Sequence, residues 1–134
     1  LQNVFTGEQL PLEALRDAFI GSLCAIAAPE SFEGALTKLG AHVDLAKRYI
    51  DHHYYTEAEL ISFINRCIRR DLAMIVTTEK DSVRMPRLAE TDLKVPIFFL
   101  RVEIEILSGH ESWEHCVARI CKPKPVLPPE RFFA

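Results

Sequence analysis

Glycine is scarce, five in 134 residues, and no glycine stands in the G-x-x-x-x-G-K-[ST] arrangement whose backbone amides cradle nucleotide phosphates. That absence excludes, for this chain acting alone, hydrolysis of or transfer from a nucleoside triphosphate by the P-loop route. Cysteine is limited to Cys24, Cys67, Cys116 and Cys121, without C-x-x-C spacing and in apolar surroundings. This fits buried thiols in a reducing compartment better than a disulfide framework. A zinc set drawn from His110, His115, Cys116 and Cys121 lacks the closely spaced ligand pairs of structural zinc sites, so no metal site is expected. Positive charge is not in excess: the net charge of -3 and pI near 6.0 argue against a nucleic-acid partner. Long apolar runs are missing as well. Without a stretch of roughly eighteen apolar residues, or a basic segment followed by an apolar one at the start, transmembrane and secretory readings have no support. There is no internal repeat, and the chain opens on Leu1 rather than Met, as a fragment or trimmed piece would.

With 49% hydrophobic and 26% charged residues, the chain suits one globular domain that buries about two-thirds of its unfolded surface. Residues 1–15 hold the turn signal Thr6-Gly7-Glu8 between short apolar runs, then Pro11 and a brief helical Leu12 to Leu15, and read as a hairpin or linker. Residues 19–27 form an apolar run of the kind that makes a strand buried on both faces. Pro29 suits a first helical position, Phe32, Leu36 and Leu39 share a helical face, and Gly40 can close that helix in a left-handed conformation. Ala41-His42-Val43-Asp44-Leu45 then alternates as a strand does. Thr56, with Glu59 three residues later, has the form of a capping box opening a helix, whose apolar stripe is expected at Leu60, Ile61, Ile64, Cys67 and Ile68. Ala73-Met74-Ile75-Val76 reads as a short buried strand. Pro96 opens a last strand at Ile97-Phe98-Phe99-Leu100, which the alternation of Val102, Ile104 and Ile106 extends with one face wet. Trp113, Val117 and Ile120 lie at helical spacing, and the proline-rich residues 122–134 cannot continue a helix. This order predicts a three-layer α/β fold with a mostly parallel sheet of about four strands after an N-terminal hairpin or linker.

Two polar clusters fall at carboxyl ends of predicted strands, the rim where open α/β sheets place ligands. The first is Asp51-His52-His53-Tyr54-Tyr55. A histidine exchanges protons near neutral pH and a neighbouring carboxylate can fix its orientation, so Asp51 and His52 are the candidate catalytic pair. For any one histidine in a turn, a loop hydrogen bond is the commoner role. Two histidines flanked by Asp51 and two tyrosines leave both readings open, while Tyr54 and Tyr55 read as half-buried packing residues. The second cluster is Thr77-Thr78-Glu79-Lys80-Asp81, where Thr78, Glu79, Lys80 and Asp81 are candidates for nucleotide or anion contact through hydroxyls, helix-start amides and an ammonium. The missing glycines weigh toward a plain N-capped helix with solvated charges.

Several stretches together resemble a known family. They are Asn3-Val4-Phe5-Thr6-Gly7-Glu8 with Leu10-Pro11-Leu12, Ala25-Ile26-Ala27-Ala28-Pro29-Glu30-Ser31-Phe32, Leu39-Gly40-Ala41, Asp51-His52-His53-Tyr54-Tyr55-Thr56, and Val76-Thr77-Thr78-Glu79-Lys80-Asp81-Ser82-Val83-Arg84. In this order and spacing they resemble the carboxy-terminal part of tetraacyldisaccharide 4'-kinase of the lipid A pathway, over residues 1–107. The resemblance implies a two-lobed, membrane-associated kinase, peripheral or anchored at the cytoplasmic face of the bacterial inner membrane. Its amino-terminal lobe would carry the P-loop and hold ATP and Mg2+. Residues 1–18 would be the interlobe linker or hairpin, 19–121 the Rossmann-like second lobe, and 122–134 a proline-rich tail. The implied reaction moves the ATP γ-phosphate to the 4'-hydroxyl of tetraacyldisaccharide 1-phosphate, giving lipid IVA, with His52 pairing with a catalytic carboxylate of the other lobe. Lacking that lobe, this chain is expected to be inactive alone. The rival readings are a stand-alone metal-dependent phosphoesterase, which would need several further carboxylates, and a non-catalytic nucleotide- or lipid-binding module.

Overall fold

Five of the six residues of strand β2 (Phe19–Cys24) are buried, a pattern that requires cover on both faces and pairing on both edges. The computed structural model, which describes residues 1–103 and 105–121, meets both requirements. β2 lies between β3 (His42–Arg48) and β4 (Met74–Thr78), parallel to each. β5 (Ile97–Leu100) runs parallel to β4, and the two-residue β1 (Gln2–Asn3) pairs antiparallel with β5, giving the order β1-β5-β4-β2-β3. The mostly parallel α/β sheet is therefore present with five strands rather than four. The added strand lies inside the stretch read as a hairpin or linker, where Gln2 also bridges Gln9. Two residues carry no periodicity, so only the pairing with β5 reveals them as strand.

Each face of the sheet is covered by a different helix. α1 (Pro29–Lys38) buries Phe32 and Leu36 in one cluster with Ile20, Cys24, Met74, Val76 and Phe98. α2 (Glu57–Arg69) buries Leu60, Phe63, Ile64 and Cys67 in the other, with Leu23, Ile75, Val95 and Ile97. Alternate residues of β4 and β5 thus serve opposite layers. The helical stripe is rotated from the expected one: Phe63 is buried and Ile68 is exposed. Where β2 meets α2, a Cβ on Gly21 would lie 2.9 Å from Cys67 Sγ and 3.3 Å from the Phe63 ring, so the missing side chain sets how closely the helix approaches.

The alternation expected in β3 is broken by one residue. Ile20 pairs with Val43 while Gly21 pairs with Leu45, leaving Asp44 as an extra residue. Val43 consequently packs on the α1 side and Leu45 on the α2 side. Such a bulge strands backbone groups, and Arg70 answers it, its Nη1 donating to the Asp44 carbonyl (3.3 Å) and carboxylate (2.9 Å). At the far end of β3, Arg48 donates bidentately to Glu33 and singly to Glu30, clamping the strand to α1.

The chain forms two compact units, Leu1–Val102 and Glu103–Ala134. β5 stops at Leu100, and residues 101–103 and 105–107 form no strand, with Val102 and Leu107 well exposed. The expected continuation along Val102 and Ile106 is thereby corrected, while Ile104 and residues 122–134 lie outside the described residues. The second unit contains α4 (His110–Ile120), which follows Gly109 in a left-handed conformation and carries a His110–Glu114 contact of 3.4 Å. Among the described residues, no helix is long and apolar enough to cross a membrane.

Candidate functional site

The loop after β3 is anchored from below. Tyr49 N–H donates to the Cys24 carbonyl (2.9 Å) and His53 N–H to the Ile50 carbonyl (3.1 Å), closing a tight turn. The Tyr49 and His53 rings stack with centroids 4.4 Å apart and 8° between planes, and the buried Tyr55 ring meets both edge-on. His53 Nε2 stands 3.0 Å from Glu59 Oε2, the oxygen that also accepts the Thr56 N–H at 2.9 Å, while Thr56 Oγ1 accepts the Glu59 N–H. The expected capping box is thus present and extended by a histidine. The Thr56 N–H, and then His53, hold the Glu59 carboxyl below its ordinary range.

His52 is turned the other way. Its φ of 66° places it in the left-handed region, and its N–H donates to Asp51 Oδ1 at 3.0 Å. The side chain is 68% exposed. Of the two adjacent histidines, His53 therefore fastens the loop and His52 stands out from the sheet's rim.

The second cluster lies where the strand order reverses, between the carboxyl ends of β2 and β4, the crevice in which open α/β sheets receive ligands. A side chain of this chain fills it. Thr78 caps the four-residue helix α3 (Glu79–Ser82), its Oγ1 accepting the Asp81 N–H at 3.1 Å and donating to Asp81 Oδ2 at 2.7 Å. Asp81 is fully buried, and Oδ2 also accepts the Ala25 N–H at 3.0 Å. These donors are spent internally, and the crevice holds a carboxylate where a phosphate would need donors. The arrangement of Thr78 and Asp81 does not fit an ATP phosphate. Glu79 and Lys80 are exposed on α3.

The fold brings the two clusters together. Lys80 Nζ lies 3.4 Å from Asp51 Oδ1, and Asp51 Oδ2 lies 3.5 Å from His52 Nε2. Desolvation pushes the Asp51 carboxyl upward, but the charge of the His52 ring in its protonated form and that of Lys80, with the hydrogen bonds from Lys80 and from His52 N–H, hold it below its ordinary range. Arg84 completes the group. One arm of its guanidinium, Nη2, donates to His52 Nδ1 at 2.9 Å, and Nη1 lies 3.9 Å from Asp81 Oδ1. The guanidinium also sits 5.9 Å from the centre of the Tyr54 ring. Sequence reasoning gave Arg84 no role. The available signs were its place at the end of the stretch quoted for the resemblance and its position three residues beyond Asp81, just past a short capped helix.

A family model described as tetraacyldisaccharide-1-P 4'-kinase matches residues 1–122. The chain belongs to the tetraacyldisaccharide 4'-kinase family. The resemblance drawn from its motifs holds. Curated tetraacyldisaccharide 4'-kinases similar to it include one from Anaeromyxobacter dehalogenans, 36% identical over 80% of this chain and 28% of the relative. Others come from Syntrophus aciditrophicus (34% identical, 87% of this chain, 30% of the relative) and Chlamydia pneumoniae (34%, 75% and 27%). The chain therefore spans less than a third of the length of these kinases. No solved structure gives a significant match. For a member of this kinase family, the absence of a P-loop from these residues is compatible with membership, because the matched part of each relative is a minor share of it.

Proposed function

We propose that this chain is the second lobe of a tetraacyldisaccharide 4'-kinase, with His52 as its contribution to phosphate transfer and Asp51 as the carboxylate that holds the His52 backbone N–H and so shapes the turn presenting it. The observation that carries this reading is the outward presentation of His52, on a rim built rigidly by its neighbours. Family membership supports the reaction, transfer of the ATP γ-phosphate to the 4'-hydroxyl of tetraacyldisaccharide 1-phosphate, giving lipid IVA. ATP, bound with Mg2+ by a P-loop lobe, supplies the phosphoryl group. Thr78 and Asp81 serve the architecture of this lobe, and the nucleotide contacts belong to the other one. Residues 1–18 lead from that lobe into the sheet, and the whole enzyme works at the cytoplasmic face of the inner membrane, where its lipid substrate lies.

Phosphoryl transfer asks mainly for positioning and charge stabilisation. An imidazole on a fixed loop can donate a hydrogen bond to the carboxylate that takes the proton of the sugar hydroxyl, holding that carboxylate in line. The test is phosphate transfer to the lipid disaccharide by a full-length polypeptide carrying these residues, with and without His52→Ala. A fall in kcat on the order of a hundredfold is expected. Undiminished activity in the variant removes His52 from the reaction.

A further inference from the structure

A guanidinium carries only donors and keeps its proton in proteins. The nitrogen that faces it must therefore accept. His52 Nδ1, 2.9 Å from Arg84 Nη2, is in that position. The ring proton is thereby assigned to Nε2, an assignment that follows from the identity of the partner. Nε2 is 3.5 Å from Asp51 Oδ2, too far to hold that N–H firmly. The donor therefore remains open to an incoming acceptor.

Arg84 is itself held in place. Its side chain is only 14% exposed and stands over Tyr54. Its N–H donates to the Asp81 carbonyl at 2.9 Å. Arg84 Nη1 and Asp81 Oδ1 are both buried without a hydrogen-bond partner among the described residues, so charge attraction spans the 3.9 Å between them. Asp81 in turn is fixed by Ala25 N–H and the Thr78 hydroxyl. A line of contacts thus runs from the end of β2, through a buried carboxylate and a nearly buried cation, to an exposed imidazole.

We propose that Arg84 is a positioning residue that locks His52 in the Nε2–H tautomer and so makes its outer nitrogen a hydrogen-bond donor to an anionic oxygen. This rests on the role given to His52 above, but the tautomer can be read without any activity. A long-range proton–nitrogen correlation spectrum of the full chain, with labelled histidine at neutral pH, should show His52 Nδ1 as the bare nitrogen and Nε2 as the protonated one. A protonated Nδ1 in the wild-type chain overturns the proposal, whatever becomes of any variant. In Arg84→Met the two signals should move together toward tautomer-averaged positions, with the amide signals of Leu15 and Leu36 in the α1-side core unmoved, and Arg84→Lys should restore part of the separation. Unchanged ring signals in Arg84→Met also overturn it.

In the full-length kinase, Arg84→Met should lower kcat on the order of tenfold with the KM for ATP unchanged. Wild-type kcat in Arg84→Met beside an impaired His52→Ala overturns the positioning role. A fully active His52→Ala instead overturns the functional reading, and the spectrum still decides the tautomer.

Discussion

Asp81 Oδ2 accepts the backbone N–H of Ala25 at 3.0 Å across 56 residues of sequence. The bond joins the end of β2 to the start of α3 at the point where the sheet's strand order reverses. Asp81→Ala would leave a buried N–H and the Arg84 cation without their partner. The expected loss is about 3 kcal/mol of unfolding free energy, read by urea denaturation. A variant as stable as the parent would show that the carboxylate is dispensable to the fold.

Gly21 offers a test of the β2–α2 contact. Adding a methyl group in Gly21→Ala forces it against Cys67 Sγ and Phe63, with an expected cost of about 1–3 kcal/mol. Cys67→Ala in the same background should recover part of that loss, because it opens the space the methyl group needs. Strictly additive effects in the double variant would place the strain elsewhere.

The Glu59 carboxyl is held below its ordinary range, first by the Thr56 N–H and then by His53. A group whose folded value is depressed contributes stability above its unfolded value and loses it as pH falls through the folded one. Thermal midpoints should therefore be insensitive to this group near neutrality and fall below about pH 4.3. Glu59→Gln should flatten that part of the profile while lowering the midpoint at neutral pH. Parallel acid profiles for the two proteins would show that the cap is not coupled to pH.

Cys24 and Cys67 should resist thiol reagents in the folded chain. Both are buried; burial, and for Cys24 also the Asp81 charge, pushes the thiols up to about 11. Cys121 is exposed and should react first. Timed labelling with mass spectrometry checks the order, and early modification of Cys24 at low denaturant would mean that the β2 end opens locally.

The elements with a long period were plain in the sequence. Thr56 and Glu59 announced their cap, Pro29 and Gly40 bounded α1, and the apolar run of β2 declared a strand covered on both faces. What misled was periodicity without a partner. Val102 and Ile106 belong to an alternation of the kind strands show, but alternation says which face a strand would bury and not that a neighbour exists to pair with it. Asp44 shows the converse, since the alternation around it gives no sign of a one-residue bulge whose groups Arg70 meets from another element. The loop-fastening role of His53 was equally hidden. His52 is the same residue type in the same turn, and in the structure the Tyr49 stack and Glu59 on one side, with Arg84 on the other, tell the two apart.

The backbone at His52 bears on how its ring can be removed. A residue at φ 66° tolerates asparagine far better than alanine, whose Cβ crowds the carbonyl there without a side-chain amide to compensate. An alanine replacement therefore deletes the imidazole and also invites the turn to refold. Asparagine deletes the ring and leaves the hinge of the loop content with its shape. Comparing the two separates the chemistry of one side chain from the posture of the segment that carries it.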